Sequence, residues 1–418
     1  MLVPSSGQDD LGEKAEATST FLRYSLVLAY RKDESLASRG SIEILEERLR
    51  YLKKGDASEH LLFDHKNSWR ESAVQSRRYG TDYISTEPVA EGHVIKLHQD
   101  GRHGRPLSRS AKNLPRTVLS ATNAAESPTA LLARREMRSW RLLQLEPSAL
   151  RRPDEFSAPT KLGSNGSHLA ATLYRLAHPN GDTAKNVENP NICARVANRL
   201  AELIENVRTV SVDRDEKREL LTVSVTGADK TAHAARSLSD GTLRFLALAV
   251  LEQDPEVQGV LCLEEPENGI HPARVPAMIR LLQDIATDTD EAVSPDNPLR
   301  QVIVNTHSPS VFLQVPPGSI LMALPAEILH SGVRFGGVRF CCIPGTWRAK
   351  APESHICAKG DFLPYLNPVV PDDATLVTAP TPGQGPDGRR HGSGHKRVVD
   401  LLQSWFPGFQ PESSDRHD

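Results

Sequence analysis

The sequence predicts an α/β protein with a β-rich antiparallel lobe and a helical connecting segment. Two short apolar runs, residues 260–263 and 302–304, each end in polar side chains and are typical of buried strands. Between them, residues 275–285 have the spacing of an amphipathic helix, so the whole stretch predicts a β-α-β unit. Far upstream, residues 21–30 are mostly aromatic or aliphatic and indicate a strand outside that unit.

Composition sets broad limits on the class of protein. The 418 residues are enough for two or three domains. A hydrophobic fraction of 38% and a mean hydropathy of −0.41 are low for a globular protein, but they do not indicate disorder throughout. The net charge of −3 gives no overall basic signal for nucleic acid, and it leaves a local basic patch open.

The cysteines and the apolar runs indicate where in the cell the protein is expected to be. Five cysteines occur without a Cys-x-x-Cys spacing, which argues against a zinc site or a disulfide framework and for reduced thiols. No run approaches the roughly eighteen apolar residues of a membrane span. Residues 1–20 lack the apolar core of a signal peptide. We therefore expect a cytoplasmic protein without membrane association.

The N-terminal part is predicted to be β-rich. Its expected strands are residues 21–30, 41–45, 60–65 and 93–97. The gaps between them vary too much for helical crossovers, so an antiparallel arrangement is expected. The arginine-rich stretches 66–92 and 99–115 are predicted to be solvated loops, in preference to phosphate-binding segments.

A helical connecting segment follows. The predicted elements are helices over residues 130–143, 167–176 and 192–207, then a hairpin of residues 210–212 and 220–225. Gly163 and Gly166 form a turn before the second helix. This turn is not interpreted as a phosphate-binding loop, because it lacks the Lys-Ser/Thr pair that reaches the β- and γ-phosphates.

The first segment with chemical potential is Ser-Leu-Ser-Asp-Gly-Thr-Leu-Arg at residues 237–244, which precedes an apolar helix. A serine at a helix start leaves free backbone N–H groups and the positive end of the helix dipole near an anion. Gly241 would let a phosphate approach the backbone closely. Taken alone, an ordinary Ser-capped core helix is the favoured interpretation.

The second segment places two carboxylates, Glu264 and Glu265, directly after a buried strand. Ligands bind at the carboxyl ends of strands in parallel α/β sheets. Because successive side chains of a strand point in opposite directions, one acid can hold Mg²⁺ while the next orients or deprotonates a water. A solvated strand end is the less favoured alternative.

The third segment is Gln-Val-Ile-Val-Asn-Thr-His-Ser-Pro at residues 301–309. His307 stands just beyond the strand, where a histidine can donate a hydrogen bond to a γ-phosphate. A lone histidine is more often structural. Its position after the paired acids and a helix predicts that both polar strand ends lie at one edge of the sheet.

These three segments, in this order, resemble the ABC ATPase superfamily, and within it the SMC/RecF-like and OLD-type ATPases grouped as AAA-type ATPase domains. The resemblance implies a P-loop NTPase (ABC ATPase-like) sandwich that binds ATP and Mg²⁺. It matches residues 238–242 to the signature motif, 261–265 to Walker B and 267–271 to the D-loop. The implied roles are metal binding by Glu264, catalysis by Glu265 and His307, and nucleotide contacts by Ser239, Asp240, Gly241 and Thr242.

The sequence also departs from that family. It contains no Gly-x-x-x-x-Gly-Lys-Ser/Thr, and it begins about where relatives have already passed this Walker A loop, so an N-terminal truncation is expected. The central sheet is then expected to lack the strand before that loop, which would expose a sheet edge and apolar surface. No residue is assigned as the family's Q-loop glutamine. The residues after 320 show no Toprim nuclease pattern.

The resemblance fixes the expected domains. They are a disordered N-terminus (1–20), a β-rich lobe with polar insertions (21–160), a helical connector and hairpin (161–235), an ATPase core (236–365) and a largely disordered Pro/Gly-rich tail (366–418). Within the tail, residues 371–396 are the least apolar. Residues 398–406 form a short amphipathic piece with no assigned docking position.

Three functional hypotheses follow. The first is an ATP-hydrolysing SMC/RecF-like head acting in DNA maintenance, repair or phage defence, which pairs head-to-tail as a homodimer or heterodimer and works on DNA or an effector protein. The second is an inactive, truncated or regulatory subunit that pairs with an intact ATPase. A transporter ATPase is disfavoured by the Glu-Asn-Gly-Ile-His-Pro run at residues 267–272 and by the long β-rich insertion.

Overall fold

The fold is described from a computed structural model. It describes residues 1–31, 41–77, 80–90, 92–101, 104–112, 114–179, 190–330, 332–352 and 354–362. The chain divides into two compact units, the first made of residues 1–270 and 280–306, the second of 271–279 and the residues from 307 onward. The expected disorder of 371–396 and the amphipathic piece at 398–406 lie outside the described residues.

The N-terminal residues are ordered, so the prediction that 1–20 are disordered is wrong. Strands β1 (Ser6–Gln8) and β2 (Lys14–Glu16) pair with each other in antiparallel fashion. Val3 and Ala15 are buried. The stretch is polar overall, which is why it was predicted to be disordered. Burial of these two apolar side chains outweighs the cost of ordering the backbone.

The lobe is antiparallel, as predicted, and it forms a five-stranded sheet in sequential order. Its strands are β3 (Leu22–Arg31), β4 (Ser41–Tyr51), β5 (Ile84–Val89), β6 (Gly92–Leu97) and β7 (Leu107–Ser110). The strands predicted at 21–30, 41–45 and 93–97 are confirmed. Leu22, Leu49, Tyr83, Ile84 and Ile95 form the centre of its core.

Other predictions in this region are wrong. Residues 60–65 form no strand: helix α1 (Ala57–His60) ends there, and helix α2 (Asn67–Ala73) follows soon after. Phe63, His65 and Trp69 pack against one another with ring centroids 5.3–5.4 Å apart. This local aromatic contact replaces strand pairing. The predicted loops 66–92 and 99–115 contain α2, β5 and β7.

The connecting segment is mainly helical, as predicted. It contains helix α3 (Pro128–Ser139), strand β8 (Arg141–Leu143), helix α4 (Pro147–Leu150), strand β9 (Asp154–Glu155), and helices α5 (Leu169–Ala177) and α6 (Pro190–Leu203). The predicted helix over 130–143 is too long, because residues 141–143 pair with a strand far along the chain and the helix ends at Ser139. Tertiary pairing here outweighs helix propensity.

The helix predicted over 192–207 ends at Leu203, because Val207 already begins a strand, and the hairpin that follows is as predicted. Strands β10 (Val207–Asp215) and β11 (Leu220–Gly227) form the expected hairpin, and β12 (Ala232–Ala234) and β9 also pair with β11. Helix α7 (Asp240–Glu252) is buried along most of its length. A helix that is apolar on all sides is expected to be buried, and residues 245–251 of α7 have this composition.

The first unit contains a three-stranded parallel sheet. Its order is β14 (Arg300–Asn305), β13 (Gly259–Glu264), β8. Helix α8 (Val275–Ile285) joins β13 to β14, at the bounds predicted from the sequence. No helix in the described part of the chain is long and apolar enough to cross a membrane.

The second unit contains a hairpin that was not predicted. Helix α9 (Pro309–Gln314) is followed by the long strands β15 (Leu321–His330) and β16 (Val333–Cys342), and β17 (His355–Ile356) pairs with the end of β16. Phe312, Cys341, Cys357 and Phe362 belong to its buried core. Burial is the first cause that raises the pKa of the Cys357 thiol, to about 12, which keeps it protonated.

Candidate functional site

The carboxyl ends of the parallel strands bring the polar residues together. Glu264 and Asn305 are register partners at the ends of β13 and β14. The backbone N–H of Glu265 donates to the carbonyl oxygen of Asn305 at 2.8 Å, which extends the pairing by one residue. The predicted β-α-β unit, with both polar strand ends at one edge, is therefore present.

Gln144 is a site residue that the sequence reasoning missed. It directly follows β8, and its Nε2 donates to Glu264 Oε2 at 3.1 Å. The neighbouring strand thus places an amide beside the first carboxylate. In the sequence, Gln144 is a polar residue after the apolar pair Leu142 and Leu143. The predicted helix over 130–143 covers that pair, so the sequence does not indicate a strand end there.

Glu265 has an unusual backbone conformation. Its φ is +44°, in the left-handed region. A residue with a Cβ atom is disfavoured there by roughly 1–2 kcal/mol. Asn268 Nδ2 donates to Glu265 Oε2 at 2.6 Å and holds the carboxylate in place. At Glu265 the chain therefore leaves the extended conformation of β13. Glu264 and Glu265 do not alternate as successive side chains of a straight strand do.

The residues 238–242, here called the signature segment, begin helix α7. Ser239 is the N-cap, and its Oγ accepts a hydrogen bond from the backbone N–H of Thr242 at 3.2 Å. Asp240 is the first helical residue, and its Oδ1 lies 2.5 Å from Arg151 Nη2. The helix start thus carries a carboxylate whose charge is offset by an arginine.

The signature segment contacts the loop of residues 264–270, here called the carboxylate loop. A Cβ added to Gly241 would lie 2.1 Å from the carbonyl oxygen of Gly269, so the two backbones touch. Arg244 Nη1 donates to the carbonyl oxygen of Asn268, and Arg244 Nε donates to the carbonyl oxygen of Leu145 at 3.1 Å. The same arginine therefore links α7 to both the carboxylate loop and the segment after β8.

Glu267 is the buried acid of the carboxylate loop. Its Oε1 accepts a hydrogen bond from Thr306 Oγ1, just beyond β14. Its Oε2 is buried without a hydrogen-bond partner among the described residues. A buried carboxylate oxygen without a donor costs free energy. Glu267 therefore holds Thr306 to the carboxylate loop through one oxygen, while its other oxygen lowers the stability of the fold.

A pocket collects these groups within the first unit. Gln144, Arg244, Glu264, Glu265 and Asn268 all contribute to its lining. His307 belongs to the second unit, so its catalytic role stays a prediction. The roles expected for Ser239, Asp240, Gly241 and Thr242 likewise stay predictions.

The donor set of this pocket fits Mg²⁺ held together with a phosphate. The oxygens of Glu264 and Gln144 are hard ligands of the kind Mg²⁺ takes, and Mg²⁺ usually keeps several waters and is completed by substrate phosphates. The described residues form no group of three or more His, Cys, Asp or Glu side chains able to hold a metal on their own.

The fold is mixed α/β with an antiparallel β-rich lobe, a helical connecting segment and a parallel sheet, as the sequence predicted. A family model described as "AAA domain, putative AbiEii toxin, Type IV TA system" matches residues 63–313. This match spans more than half of the 418 residues, and the chain belongs to that family of AAA-type ATPase domains. No curated protein matches the sequence.

Solved structures of SMC head domains are similar to the chain at low identity. The SMC head domain from Thermotoga maritima is 10% identical with a TM-score of 0.24, over 76% of this chain and 99% of that one. An SMC head bound to the C-winged helix domain of ScpA is 11% identical with a TM-score of 0.33, over 71% of this chain and 94% of that one. A Pyrococcus yayanosii SMC head with a coiled coil and joint is 12% identical with a TM-score of 0.23, over 35% of this chain and 26% of that one. The family assignment rests on residues 63–313, not on these likenesses.

Proposed function

We propose that the chain is an ATP-binding and ATP-hydrolysing head of the SMC/RecF-like ABC type, working in the cytoplasm in DNA maintenance, repair or phage defence. One observation carries the proposal: Gln144, Glu264 and Glu265 converge at the carboxyl end of three parallel strands. Ligands of parallel α/β sheets bind at that end. Glu264 is exposed and Glu265 is half-buried, so a cation or a reacting water at this edge of the sheet can reach both carboxylates.

The two acids have separate roles in this proposal. Glu264 and Gln144 hold the water shell of Mg²⁺, which bound with ATP would offset the charge of the β- and γ-phosphates. Glu265 orients the attacking water and accepts its proton, while Asn268 fixes one carboxylate oxygen at 2.6 Å.

The signature segment serves a nucleotide held by a second head. Ser239 is exposed at the helix start, a position that binds phosphate in other proteins, whereas Gly241 is buried against Gly269 and would serve a phosphate only if that contact opened. Arg151 offsets the charge of Asp240, so the carboxylate repels the phosphate less. The heads would pair head-to-tail, as a homodimer or a heterodimer, with DNA or an effector protein as the further partner. His307 would donate to the γ-phosphate.

The second candidate is a regulatory subunit that has no activity alone and pairs with an intact ATPase. A sequence fact favours it: residues 1–418 contain no Gly-x-x-x-x-Gly-Lys-Ser/Thr. In that case the signature segment still serves the partner's ATP. Glu264 and Glu265 would then have no phosphates of their own to act on.

The test is equilibrium binding of fluorescent ATP with Mg²⁺ to the purified Glu265→Gln chain, in which turnover is blocked. Binding with a Kd in the micromolar range, about −8 kcal/mol, supports an ATPase in this polypeptide. Unchanged binding after the further change Glu264→Gln would contradict the metal role of Glu264. Glu291→Gln, an exposed change in the loop before β14, is the charge-matched control. No binding up to millimolar ATP favours the regulatory subunit.

A further inference from the structure

We propose that residues 398–406 of this chain pack as a short amphipathic helix on the exposed apolar face of the hairpin of β15 and β16. The segment lies outside the described residues, so it is considered through its sequence alone. The hairpin and the segment both belong to the second unit. The docking involves none of the residues assigned to the nucleotide site and does not depend on nucleotide.

One face of the hairpin is already covered. Met322 and Leu324 of β15 and Cys341 of β16 pack in the core that contains Phe312 and Phe362. Met322 and Cys341 are register partners, so they mark the face that is turned toward this core. Successive side chains of a strand point to opposite faces, so the residues between them belong to the other face.

That other face, here called the open face, is apolar and exposed. Its large apolar side chains are 48–66% exposed, and they are Leu321, Leu329, Val338 and Phe340. Phe340 is the register partner of Ala323, and Val338 is the register partner of Pro325, so the apolar row crosses both strands. A contiguous apolar patch of this kind marks an interaction surface, and a two-stranded hairpin without a cover is marginally stable in water.

The edge of the hairpin does not favour a further strand. Among the described residues, β15 stands at the end of its sheet, and Pro325 lies at the middle of this strand. Proline has no N–H group to donate to a neighbouring strand, and it is one of the residues that protect edge strands from pairing. The occupant is therefore expected to pack on the open face, not along the edge.

Residues 398–406 have the pattern of an element that packs on such a face. The segment reads Val-Val-Asp-Leu-Leu-Gln-Ser-Trp-Phe, and six of its nine residues are apolar. Val398, Leu401, Leu402 and Trp405 have the i, i+3, i+4, i+7 spacing that places side chains on one side of a helix. A helix this short is not stable alone in water, so it forms only where its apolar side can pack.

The dimensions of the segment and of the open face agree. Neighbouring strands lie about 4.8 Å apart, so a two-stranded hairpin is about as wide as one helix, roughly 10 Å. A helix of nine residues is about 13 Å long and covers about four residues of each strand. This length is enough to cover the centre of the open face, which is formed by Pro325, Val338 and Phe340.

The segment can reach the open face from the point where the described chain ends. Phe362 is the last described residue, and it is buried in the same core as Cys341 of β16. The 35 residues between Phe362 and Val398 can span far more than the roughly 33 Å of a ten-residue strand. A segment tethered to its own binding face has an effective concentration on the order of millimolar, which favours it over a second copy of the chain.

The test places a thiol on the open face of the full chain. Val338→Cys puts the thiol at the centre of the face, and Ile42→Cys, an exposed position in the lobe, is the reference. The alkylation rate of each thiol is measured without nucleotide by peptide mass spectrometry, because the chain has five cysteines of its own. The rate reports coverage, since the reactivity of a thiol depends on its access to the reagent.

Leu402→Asp should speed alkylation at position 338 by about tenfold or more, because a charge on the apolar side of the segment releases it from the open face. Ser404→Asp adds the same charge on the polar side of the segment, and it should leave the rate at position 338 unchanged. Neither change should alter the rate at position 42. Both changes lie outside the hairpin, so they compare the same folded surface with and without its cover.

Two results would overturn the proposal. One is an equal alkylation rate at position 338 with and without Leu402→Asp. The other is a rate at position 338 that falls as the protein concentration rises, which would assign the open face to a second copy. Photo-crosslinking from a benzoylphenylalanine at position 405 is the independent measurement. It should join the segment to β15 or β16 of the same chain, and cross-links found only elsewhere would contradict the docking position.

Discussion

Arg151 Nη2 lies 2.5 Å from Asp240 Oδ1 and donates to the carbonyl oxygen of Leu238 at 3.0 Å. The arginine thus holds both a side chain and a backbone group at the start of α7. The pair is partly exposed, so solvent and salt weaken its attraction. Its main effect is to fix the position of the signature segment relative to the residues after α4.

This contact gives a prediction for stability. In a double-mutant cycle of Arg151→Ala and Asp240→Asn, we expect a coupling energy of about 0.5–1 kcal/mol, falling in high salt. The measurement is urea unfolding of the four proteins at low and at high salt. Lys66 and Asp290, 3.7 Å apart and largely exposed, are the matched control pair, with an expected coupling near zero. Equal coupling in the two pairs would contradict a positioning role for Arg151.

The contact between Gly241 and Gly269 gives a second prediction. Gly241→Ala would place a Cβ against a backbone oxygen that cannot rotate away, and we expect a loss of about 1–3 kcal/mol of stability. Thermal unfolding measures it. Gly55→Ala is the control, because a Cβ there meets nothing within 4 Å. A Gly241→Ala protein as stable as the control would show that the two backbones can move apart freely.

The strain at Glu265 gives a third prediction. Glu265→Gly relieves the left-handed conformation and removes the exposed hydrogen bond from Asn268, so we expect unchanged or up to about 1 kcal/mol higher stability. Glu264→Gly places glycine at the end of a strand without such relief, and a loss of about 0.5–1 kcal/mol is expected. Chemical denaturation compares the two variants. If Glu265→Gly proves the less stable protein, the strain argument is wrong.

Much of the fold follows from the sequence where local pattern and tertiary contacts agree. Helix α8 and strand β13 have uninterrupted apolar patterns, and their predicted positions are confirmed. Residues 141–143 show the limit. They continue a helical pattern and are still a strand, because their partner β13 lies more than a hundred residues away. A pattern read within a short window carries no information about so distant a partner.

The candidate site could be predicted only in part. Glu264 and Glu265 stand out as adjacent acids after an apolar run, which is a local signal. Gln144 does not, because one glutamine after two leucines is common, and only the parallel pairing of β8 with β13 brings it to Glu264. Asn268 and Arg244 lie in segments that the sequence singles out, but no role is predicted for either. The contact of Arg244 with Asn268 depends on a loop returning to a helix that precedes it in the chain.

Glu136 gives a prediction about pH. Burial is the main cause that raises the pKa of this carboxyl above its ordinary value of 4.5. The folded state therefore holds the proton more tightly, so the stabilisation from the protonated group is complete below pH 4.5 and is lost as the pH rises through the folded pKa. Glu136→Gln keeps an oxygen for Trp140 Nε1, which donates to Glu136 Oε1 at 3.1 Å.

We accordingly expect the Glu136→Gln protein to gain stability relative to the unchanged chain between acidic and neutral pH. The measurement is the thermal unfolding midpoint of both proteins from pH 4 to pH 8, compared with the exposed change Glu291→Gln. A difference that stays constant over this pH range would contradict a titrating role for Glu136.

The contact between Gly241 and Gly269 also fixes the length of the carboxylate loop. Surface loops ordinarily accept inserted residues with little cost. Here Glu265 is pinned at one end by β13 and β14, and Gly269 is pinned at the other end by the start of α7. The number of residues between them is set by that span, so one residue added or removed would misplace either the catalytic candidate or the helix start. The number of residues in this loop therefore matters for the position of Glu265 as much as their identity does.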